Sequence, residues 1–380
     1  MAEPQVVGAR AAHVVPRDVF IVVGNLDELG GINSWAHFTG RLLEERGHRV
    51  RIIGITGAEH PHAFHGPART PLRLHDGAPP FTPSARRDAV RRLTGLFRAA
   101  RAGGIVICTQ VWAMEWIARA DVTGHRVIGM THESHDLIRR TEWYGPTLKH
   151  FADTDRVLTL TQEDADAWAR DGLVGTSAMP NPLTVLPKRL CDSTAPVVVS
   201  VGRLSEEKGV DLLLEAWALV CADYPDWVLR VYGAGAAEGE LRYLAGELNI
   251  AERVRFMGRT TDVPGALRAA SVFALPSRAE GWGLALTEAM AHALAPVVFD
   301  CSAGVRHLVE DGVSGLHAPP GDVHAFAAAL TRAMADEALR RRLGAAARAS
   351  ALRYEPQGVI DRWEALFDVL HRPGGRPRSA

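Results

Sequence analysis

Residues 271–293 constrain the fold of this chain more than any other stretch, because they join three elements in a fixed order. An apolar run at residues 271–275 predicts a buried strand, and a loop with two glycines, Gly281 and Gly283, leads into a helix that starts near Leu284. A strand, a tight glycine turn and a helix N-terminus leave unpaired backbone N–H groups and the positive end of the helix dipole at the turn. The stretch therefore predicts an anion site.

Two carboxylates accompany this predicted anion site. Glu280 lies in the loop, and Glu288 lies eight residues later in the helix. Carboxylates that faced a phosphate would repel it, so their natural place is beside it, where they accept hydrogen bonds from hydroxyl groups. A ligand that is anionic in the middle and rich in hydroxyls at both ends is a sugar nucleotide. Spacing alone fits a solvated loop residue and a surface helix residue equally well.

Length and composition set the class of protein. A chain of 380 residues is too long for one core and suits two domains. Hydrophobic residues make up 47% and charged residues 23%, as in soluble globular proteins. The formal net charge is -1, so no global field favours nucleic acid and we expect no such partner.

Cysteine spacing and the lengths of apolar runs indicate which cellular compartment to expect. The four cysteines are scattered without a C-x-x-C pair, which favours free thiols in a reducing cytoplasm. Residues 1–16 contain no sustained apolar region, and no run of about 18 apolar residues occurs. We expect a cytoplasmic protein with no visible signal or membrane span.

The N-terminal half opens with a βαβ pattern. Residues 19–23 predict a first parallel strand, Gly30 and Gly31 form a glycine turn after it, and a helix at 33–46 leads to a second strand at 49–55. Open α/β sheets bind ligands at the carboxyl ends of such strands. A glycine pair lets the backbone approach a ligand closely, although a plain turn remains the alternative.

Three patterns could suggest a metal. His60 and His62 have a ligand-like spacing inside the His-rich segment 57–83, but no carboxylate or cysteine completes a set. The D-x-D pattern at residues 153–155 directly precedes a predicted strand and is interpreted as a turn. His132, with His135 and Asp136, follows a strand predicted at 127–130, without a nucleophile nearby. We therefore expect no metal and no cofactor, and a mobile loop at 57–83.

Residues 85–102 predict a basic amphipathic helix. Its arginines surround an apolar face of Val90, Leu93 and Phe97; they are Arg86, Arg87, Arg91, Arg92, Arg98 and Arg101. Such a helix either touches anionic lipid, which would place the protein at the inner membrane face, or packs one face on a sheet with its arginines in water.

The C-terminal half restarts with a second strand–turn–helix pattern. Residues 179–187 are rich in proline and predict a hinge. A strand at 196–201 then runs into a turn that carries Arg203 and Lys208, before a helix at 210–220. Two cations at one turn suit a diphosphate leaving group.

Two runs of the sequence resemble one known family. The run Pro276-Ser-x-x-Glu280-Gly-Trp-Gly-Leu-x-x-x-Glu288 is similar to the Glu-x7-Glu signature of family 4 retaining glycosyltransferases. The run Gly202-Arg-Leu-x-x-x-Lys208-Gly matches a second motif of that family. The resemblance covers roughly residues 19–370, with one departure, Ala303 where the family has a second glycine beside Gly304.

The resemblance implies the GT-B fold: two doubly wound Rossmann-like α/β domains that face each other across a cleft, with a C-terminal helix crossing back. The implied divisions are a flexible tail at 1–16, an acceptor domain at 17–182, a donor-nucleotide domain at 183–353, a helix returning to the first domain at 354–372, and a flexible tail at 373–380.

The resemblance also implies roles for site residues. The groups nearest the reaction are His132, beside the donor sugar; Arg203 and Lys208, on the diphosphate; and Glu280, on the sugar hydroxyls. Glu288 would bind the ribose. The remaining donor contacts are Gly30, Gly31, Gly202, Gly233, Gly235, Arg259, Thr260, Gly281, Trp282, Gly283 and Leu284.

The implied activity is transfer of a hexose-type sugar from a nucleotide-sugar donor, with a UDP-sugar favoured, to an acceptor hydroxyl of a small molecule, glycan or lipid, with retention and without metal. The alternatives are a sugar-nucleotide epimerase or a phosphorylase on the same fold, or a non-catalytic sugar-binding protein.

Overall fold

The computed structural model describes residues 15–28, 30–57, 62–64, 72–73 and 83–372. Both predicted tails, apart from residues 15–16, and most of the predicted loop at 57–83, including His60, lie outside these described residues. Strands and helices alternate along almost the whole described chain, which is the pattern of parallel α/β proteins.

The first sheet has seven strands in the order β3-β2-β1-β4-β5-β6-β7. They are β1 (Asp18–Asn25), β2 (Arg49–Thr56), β3 (Leu72–Arg73), β4 (Ile105–Cys108), β5 (Arg126–Met130), β6 (Arg156–Thr159) and β7 (Thr176–Ala178). Strand β1 pairs in parallel with both β2 and β4, and its six central residues are all buried. Burial on both faces explains why it has a continuous apolar run instead of an alternating pattern.

The second sheet has six strands in the order β10-β9-β8-β11-β12-β13, and every neighbouring pair is parallel. They are β8 (Val197–Val201), β9 (Val228–Tyr232), β10 (Val254–Gly258), β11 (Val272–Leu275), β12 (Ala295–Phe299) and β13 (Leu316–Ala318). The order reverses between β8 and β11, and ligands bind at such switch points in doubly wound sheets. The predicted pair of doubly wound sheets is confirmed.

The described residues form fourteen α-helices, of which the last three follow β13. They are α1 (Gly31–Glu45), α2 (Pro83–Arg98), α3 (Val111–Ile117), α4 (His135–Ile138), α5 (Tyr144–Phe151), α6 (Gln162–Arg170), α7 (Val210–Val220), α8 (Glu238–Glu247), α9 (Val263–Arg268), α10 (Leu284–Ala291), α11 (Ala303–Leu308), α12 (Val323–Ala335), α13 (Glu337–Ala351) and α14 (Pro356–Leu370).

The chain divides into two compact units. The first contains residues 1–130, 153–155 and 360–380, and the second contains residues 131–152 and 156–359. Helix α14 accordingly passes from the second unit into the first, which confirms the predicted crossing back. There its Trp363 packs on Trp35 of α1 at 6.0 Å between ring centroids, and Arg46 donates to Asp361 and Glu364 at 2.6 and 3.0 Å.

The basic helix α2 has the predicted two faces. Ala89, Leu93 and Phe97 are buried, and the Phe97 ring meets Phe20 of β1 edge-on at 5.1 Å. The arginines of α2 are exposed. Among the described helices, none has the length and apolarity that crossing a bilayer requires.

One local prediction is confirmed, the turn at residues 153–155, and a side-chain cap starts the helix that follows β6. Thr161 caps α6, because its hydroxyl accepts a hydrogen bond from the Asp164 N–H at 3.1 Å. Residues 153–155 form a turn, in which Asp155 accepts from the Val127 N–H at 2.7 Å and pairs with Arg126 at 2.9 Å. The Asp155 carboxylate therefore stabilises the start of β5.

Candidate functional site

The centre of the predicted site is a three-way contact at the carboxylate of Glu280. The Lys208 ammonium and the Ser277 hydroxyl both donate to Oε1 of Glu280, each at 2.8 Å. The Glu280 side chain is 9% exposed and that of Lys208 25%. A charge so removed from water needs a partner, and Lys208 supplies it. The residues predicted for the diphosphate and for the sugar hydroxyls thus touch each other.

The backbone brings Lys208 to this position. Gly209 follows Lys208 with a left-handed φ of 63°, and a Cβ there would lie 2.0 Å from the Pro276 carbonyl oxygen. The turn after β8 therefore packs directly on the loop after β11, which only a glycine permits.

Arg278 holds the same two loops together. Its N–H donates to the Glu207 carbonyl at 2.9 Å, and its guanidinium binds both carboxylate oxygens of Asp211 at 2.8 and 2.6 Å. A bidentate pair of this kind fixes orientation as well as distance. Sequence reasoning missed Arg278 because it occupies a position that the resemblance left unspecified.

Arg203 lies in a different environment from Lys208. Its side chain is 60% exposed, and its nearest carboxylate is Glu207 at 3.8 Å. So weak and solvated a pair constrains the guanidinium little. The Arg203 side chain can therefore move to bind an anion, whereas the Lys208 ammonium is already held by Glu280.

Gly281 lies against the chain that follows β5. A Cβ on Gly281 would be 1.7 Å from the carbonyl oxygen of His132, and one on Gly304 would be 2.0 Å from the carbonyl oxygen of Gly281. Three backbone segments thus meet at Gly281 within the second unit. Gly283, with φ of 86°, then turns the chain into α10, whose first residue is Leu284.

His132 is uncharged near neutral pH. Burial lowers the pKa of its imidazole to about 3, because a charged ring is poorly solvated there. The ring can then act as a neutral hydrogen-bonding group, but an imidazole of such low pKa is a weak base.

Glu288 meets a residue of the predicted hinge. The Thr184 hydroxyl donates to Oε1 of Glu288, which lies in α10. Burial raises the pKa of this carboxyl, and the hydrogen bond from Thr184 opposes that rise. Residues 179–183 are themselves buried, so this proline-rich segment is packed in place.

Trp282 is a packed side chain. It is 3% exposed, and its ring meets Tyr354 edge-on at 4.9 Å and His307 at 5.8 Å. The indole anchors the loop between Glu280 and α10. Because the Trp282 side chain is buried, a donor contact at this residue would involve its backbone.

The other predicted donor contacts in the second unit lie at strand ends. Gly202 follows β8, and a Cβ on Gly233 after β9 would be 1.7 Å from the Gly202 carbonyl oxygen. Gly235 approaches the Leu204 carbonyl in the same way. The next two predicted contacts follow β10: they are exposed Arg259 and half-buried Thr260, whose hydroxyl accepts from the Asp262 N–H at 3.0 Å.

The glycine pair of the first unit stands at the N-terminus of α1. Gly30 is the N-cap and Gly31 the first helical residue. Gly30 has an extended φ of -174°, and a Cβ there would meet no described residue within 4 Å. Among the described residues, the turn is thus open on the side of Gly30.

Metal-ligating side chains do not converge in the part of the chain that the structure describes, where no group of three His, Cys, Asp or Glu residues could hold an ion. The four cysteines are free thiols, as predicted. Burial raises the pKa of Cys301 to about 12, and the nearby Glu280 carboxylate adds to the rise, so this thiol stays protonated.

Comparisons with known proteins show what the chain resembles. The family model for glycosyl transferases group 1 matches residues 186–350, which span β8 to α13. These residues contain Arg203, Lys208, Glu280 and Glu288.

Two curated relatives illustrate the similarity. An uncharacterized glycosyltransferase of Haemophilus influenzae is 32% identical over 215 residues, or 56% of this chain and 61% of that protein. The lipopolysaccharide core biosynthesis glycosyltransferase LpsE of Rhizobium meliloti is 34% identical over 214 residues, or 54% of this chain and 62% of LpsE. The chain thus matches less than two thirds of the length of either relative.

Two solved structures share the whole architecture. TarM superposes with a TM-score of 0.79 at 13% identity, covering 93% of this chain and 99% of TarM. Anabaena HepE, solved with UDP and glucose, superposes with a TM-score of 0.76 at 18% identity, covering 92% of this chain and 99% of HepE. The chain has the GT-B fold, and its residues 186–350 match the family model for glycosyl transferases group 1.

Proposed function

We propose that this protein is a retaining glycosyltransferase that moves a hexose-type sugar from a nucleotide-sugar donor to an acceptor hydroxyl. The observation that carries the proposal is the contact of Lys208 and Ser277 with Oε1 of Glu280. It joins a cation suited to a diphosphate to a carboxylate whose second oxygen, Oε2, can accept from a sugar hydroxyl. A ligand that uses both groups must carry phosphate and sugar side by side.

The charges of the site suit the transition state of such a transfer. The sugar gains positive charge and the departing diphosphate gains negative charge as the bond between them breaks. Lys208 and Arg203 would stabilise the diphosphate, together with the backbone N–H groups at the start of α10. Glu280 would orient the sugar hydroxyls.

Retention without an enzymic nucleophile fits the side chains present. Oε1 of Glu280 is engaged by two donors, Oε2 would accept from a sugar hydroxyl, and the Cys301 thiol stays protonated. The acceptor would attack the anomeric carbon on the face that the diphosphate leaves. The departing diphosphate oxygen would take the acceptor proton, so no protein group has to change its charge. His132, uncharged, would hydrogen-bond the sugar.

The donor we favour is a UDP-sugar, because HepE, of the same fold, was solved with UDP and glucose. We propose that the reaction needs no metal and no cofactor, since Lys208 and Arg203 supply the cations. A small molecule, a glycan or a lipid could offer the acceptor hydroxyl. The exposed arginines of α2 and the similarity to LpsE favour a lipid-linked acceptor.

The test is a panel of nucleotide sugars, assayed for release of the nucleoside diphosphate with and without candidate acceptors. Acceptor-dependent release is expected, and it distinguishes a transferase from an epimerase or a sugar-binding protein. Lys208→Gln should lower the rate on the order of 10²-fold. The matched control is Lys149→Gln, which changes an exposed lysine of α5 in the same unit. Equal rates for both variants would refute the role of Lys208 on the diphosphate.

A further inference from the structure

Thr184 connects the segment before the second sheet to the helix that carries Glu288. Its hydroxyl donates to Oε1 of Glu288, 104 residues further along the chain. Both groups lie in the second unit. Neither the resemblance nor any predicted motif gives Thr184 a role.

The backbone around Thr184 is fixed on both sides. The N–H of the preceding residue, Leu183, donates to the Tyr354 carbonyl at 2.7 Å. Further on, the Cys191 N–H donates to the carbonyl of His292, just after α10, at 3.0 Å. The segment is therefore tied at both ends, which keeps the backbone of Thr184 beside α10.

The hydrogen bond limits what Glu288 can do. A carboxylate has two oxygens and about four acceptor positions. Thr184 uses one position on Oε1, which leaves Oε2 for a ligand and restricts rotation of the carboxylate about its last bond. Burial opposes ionisation of this group, and a donated hydrogen bond favours the ionised form, which is the better acceptor.

We propose that Thr184 is a positioning residue, which orients the Glu288 carboxylate to accept hydrogen bonds from the ribose hydroxyls of the donor nucleotide. The inference rests on the proposed function, since it takes the ligand to be a nucleoside diphosphate sugar. It adds a residue that touches no ligand itself and acts only through Glu288.

A binding experiment isolates this role. Wild type, Thr184→Val and Thr184→Ser are titrated with UDP and with 2′,3′-dideoxy-UDP, and with the matching pair for another base if the wild type prefers that base. Valine has the shape of threonine without the hydroxyl, so it removes the hydrogen bond with little change of volume. A change of packing would affect both ligands, whereas a change at Glu288 affects only the ligand that has ribose hydroxyls.

The expected result is that Thr184→Val weakens UDP binding on the order of 10-fold and leaves the affinity for the dideoxy analogue unchanged. Thr184→Ser, which keeps the hydroxyl, should restore UDP binding toward the wild-type value. In turnover, the loss should appear in KM for the donor more than in kcat.

Three outcomes would overturn the inference: equal UDP affinity in Thr184→Val and wild type, tighter binding in the variant, or equal losses for UDP and its dideoxy analogue. Tighter binding would mean that Thr184 competes with the ribose. If wild type binds no nucleoside diphosphate, the proposed function fails first, and that result is distinct from a wild type that binds and a variant that binds equally well.

Discussion

The two glycine turns predicted to bind the donor differ in how far the protein has already fixed them. In the first unit, Gly30 has extended backbone, and no described residue lies within 4 Å of the place where its Cβ would be. In the second unit, Gly281 lies against the carbonyl oxygen of His132, and the carboxylate of the preceding Glu280 is held by Lys208 and Ser277. The same residue type thus serves two purposes.

This difference separates two reasons for having glycine. At Gly281 the protein's own backbone excludes a Cβ, so glycine is needed for folding with or without a ligand. At Gly30 no described residue excludes a Cβ, so the described structure gives no reason of folding for glycine there. Four experiments test this difference.

The largest effect is expected from Gly281→Ala. The new Cβ would lie 1.7 Å from the His132 carbonyl oxygen, so backbone must shift on one side or the other. We expect transfer to fall on the order of 10²-fold or more, because displacements of this size misplace reacting groups. Thermal unfolding and transfer rate are the measurements.

The control for that experiment is Gly239→Ala in α8, where a Cβ would meet nothing within 4 Å. Alanine is favoured over glycine inside a helix by about 0.5–1 kcal/mol, so this variant should be as stable as wild type or more so. If Gly281→Ala were as stable and active as wild type, the close contact of Gly281 with the His132 carbonyl would be contradicted.

The next effect distinguishes Arg203 from Lys208, the two cations of the turn after β8. Arg203→Ala and Lys208→Ala should each lower transfer on the order of 10²-fold. Only Lys208→Ala should also destabilise the fold, by about 2 kcal/mol, because it leaves the buried Glu280 carboxylate without its charge partner. Chemical denaturation measures the stability. Unchanged stability in both variants would show that the contact of Lys208 with Glu280 contributes little.

A smaller effect concerns His132 and pH. Its pKa of about 3 in the folded protein lies below the ordinary 6.5, so the unfolded chain binds a proton first as pH falls. Its contribution to stability is therefore complete above pH 6.5 and is lost progressively from 6.5 down to 3. Relative to wild type, His132→Gln should gain about 1 kcal/mol per pH unit below 6. Denaturation of both proteins at pH 7.5, 6 and 5 measures it, and parallel curves would contradict it.

The smallest change in stability is expected from Gly30→Ala. Extended backbone accepts any residue and no described residue lies within 4 Å of the new Cβ, so the free energy of unfolding should change by less than about 0.5 kcal/mol. If the donor diphosphate approaches this turn, donor KM will nevertheless rise. An unchanged KM would remove Gly30 from the donor contacts.

Much of the fold could be predicted from sequence because its signals are local. The continuous apolar run of β1 and the boundaries of α7 follow from patterns along a single short stretch of sequence. Short helices such as α9, with six residues, escaped prediction because so few turns carry no clear periodicity.

Lys208, Glu280 and Glu288 of the second unit stand in motifs that the sequence alone reveals. Their partners depend on the tertiary structure. Lys208 meets Glu280 across 72 residues, and Thr184 meets Glu288 across 104. Such contacts depend on the order of strands in a sheet and on backbone distances at glycines, which no local pattern encodes. In the structure, backbone excludes a side chain at Gly281, whereas no described residue excludes one at Gly30.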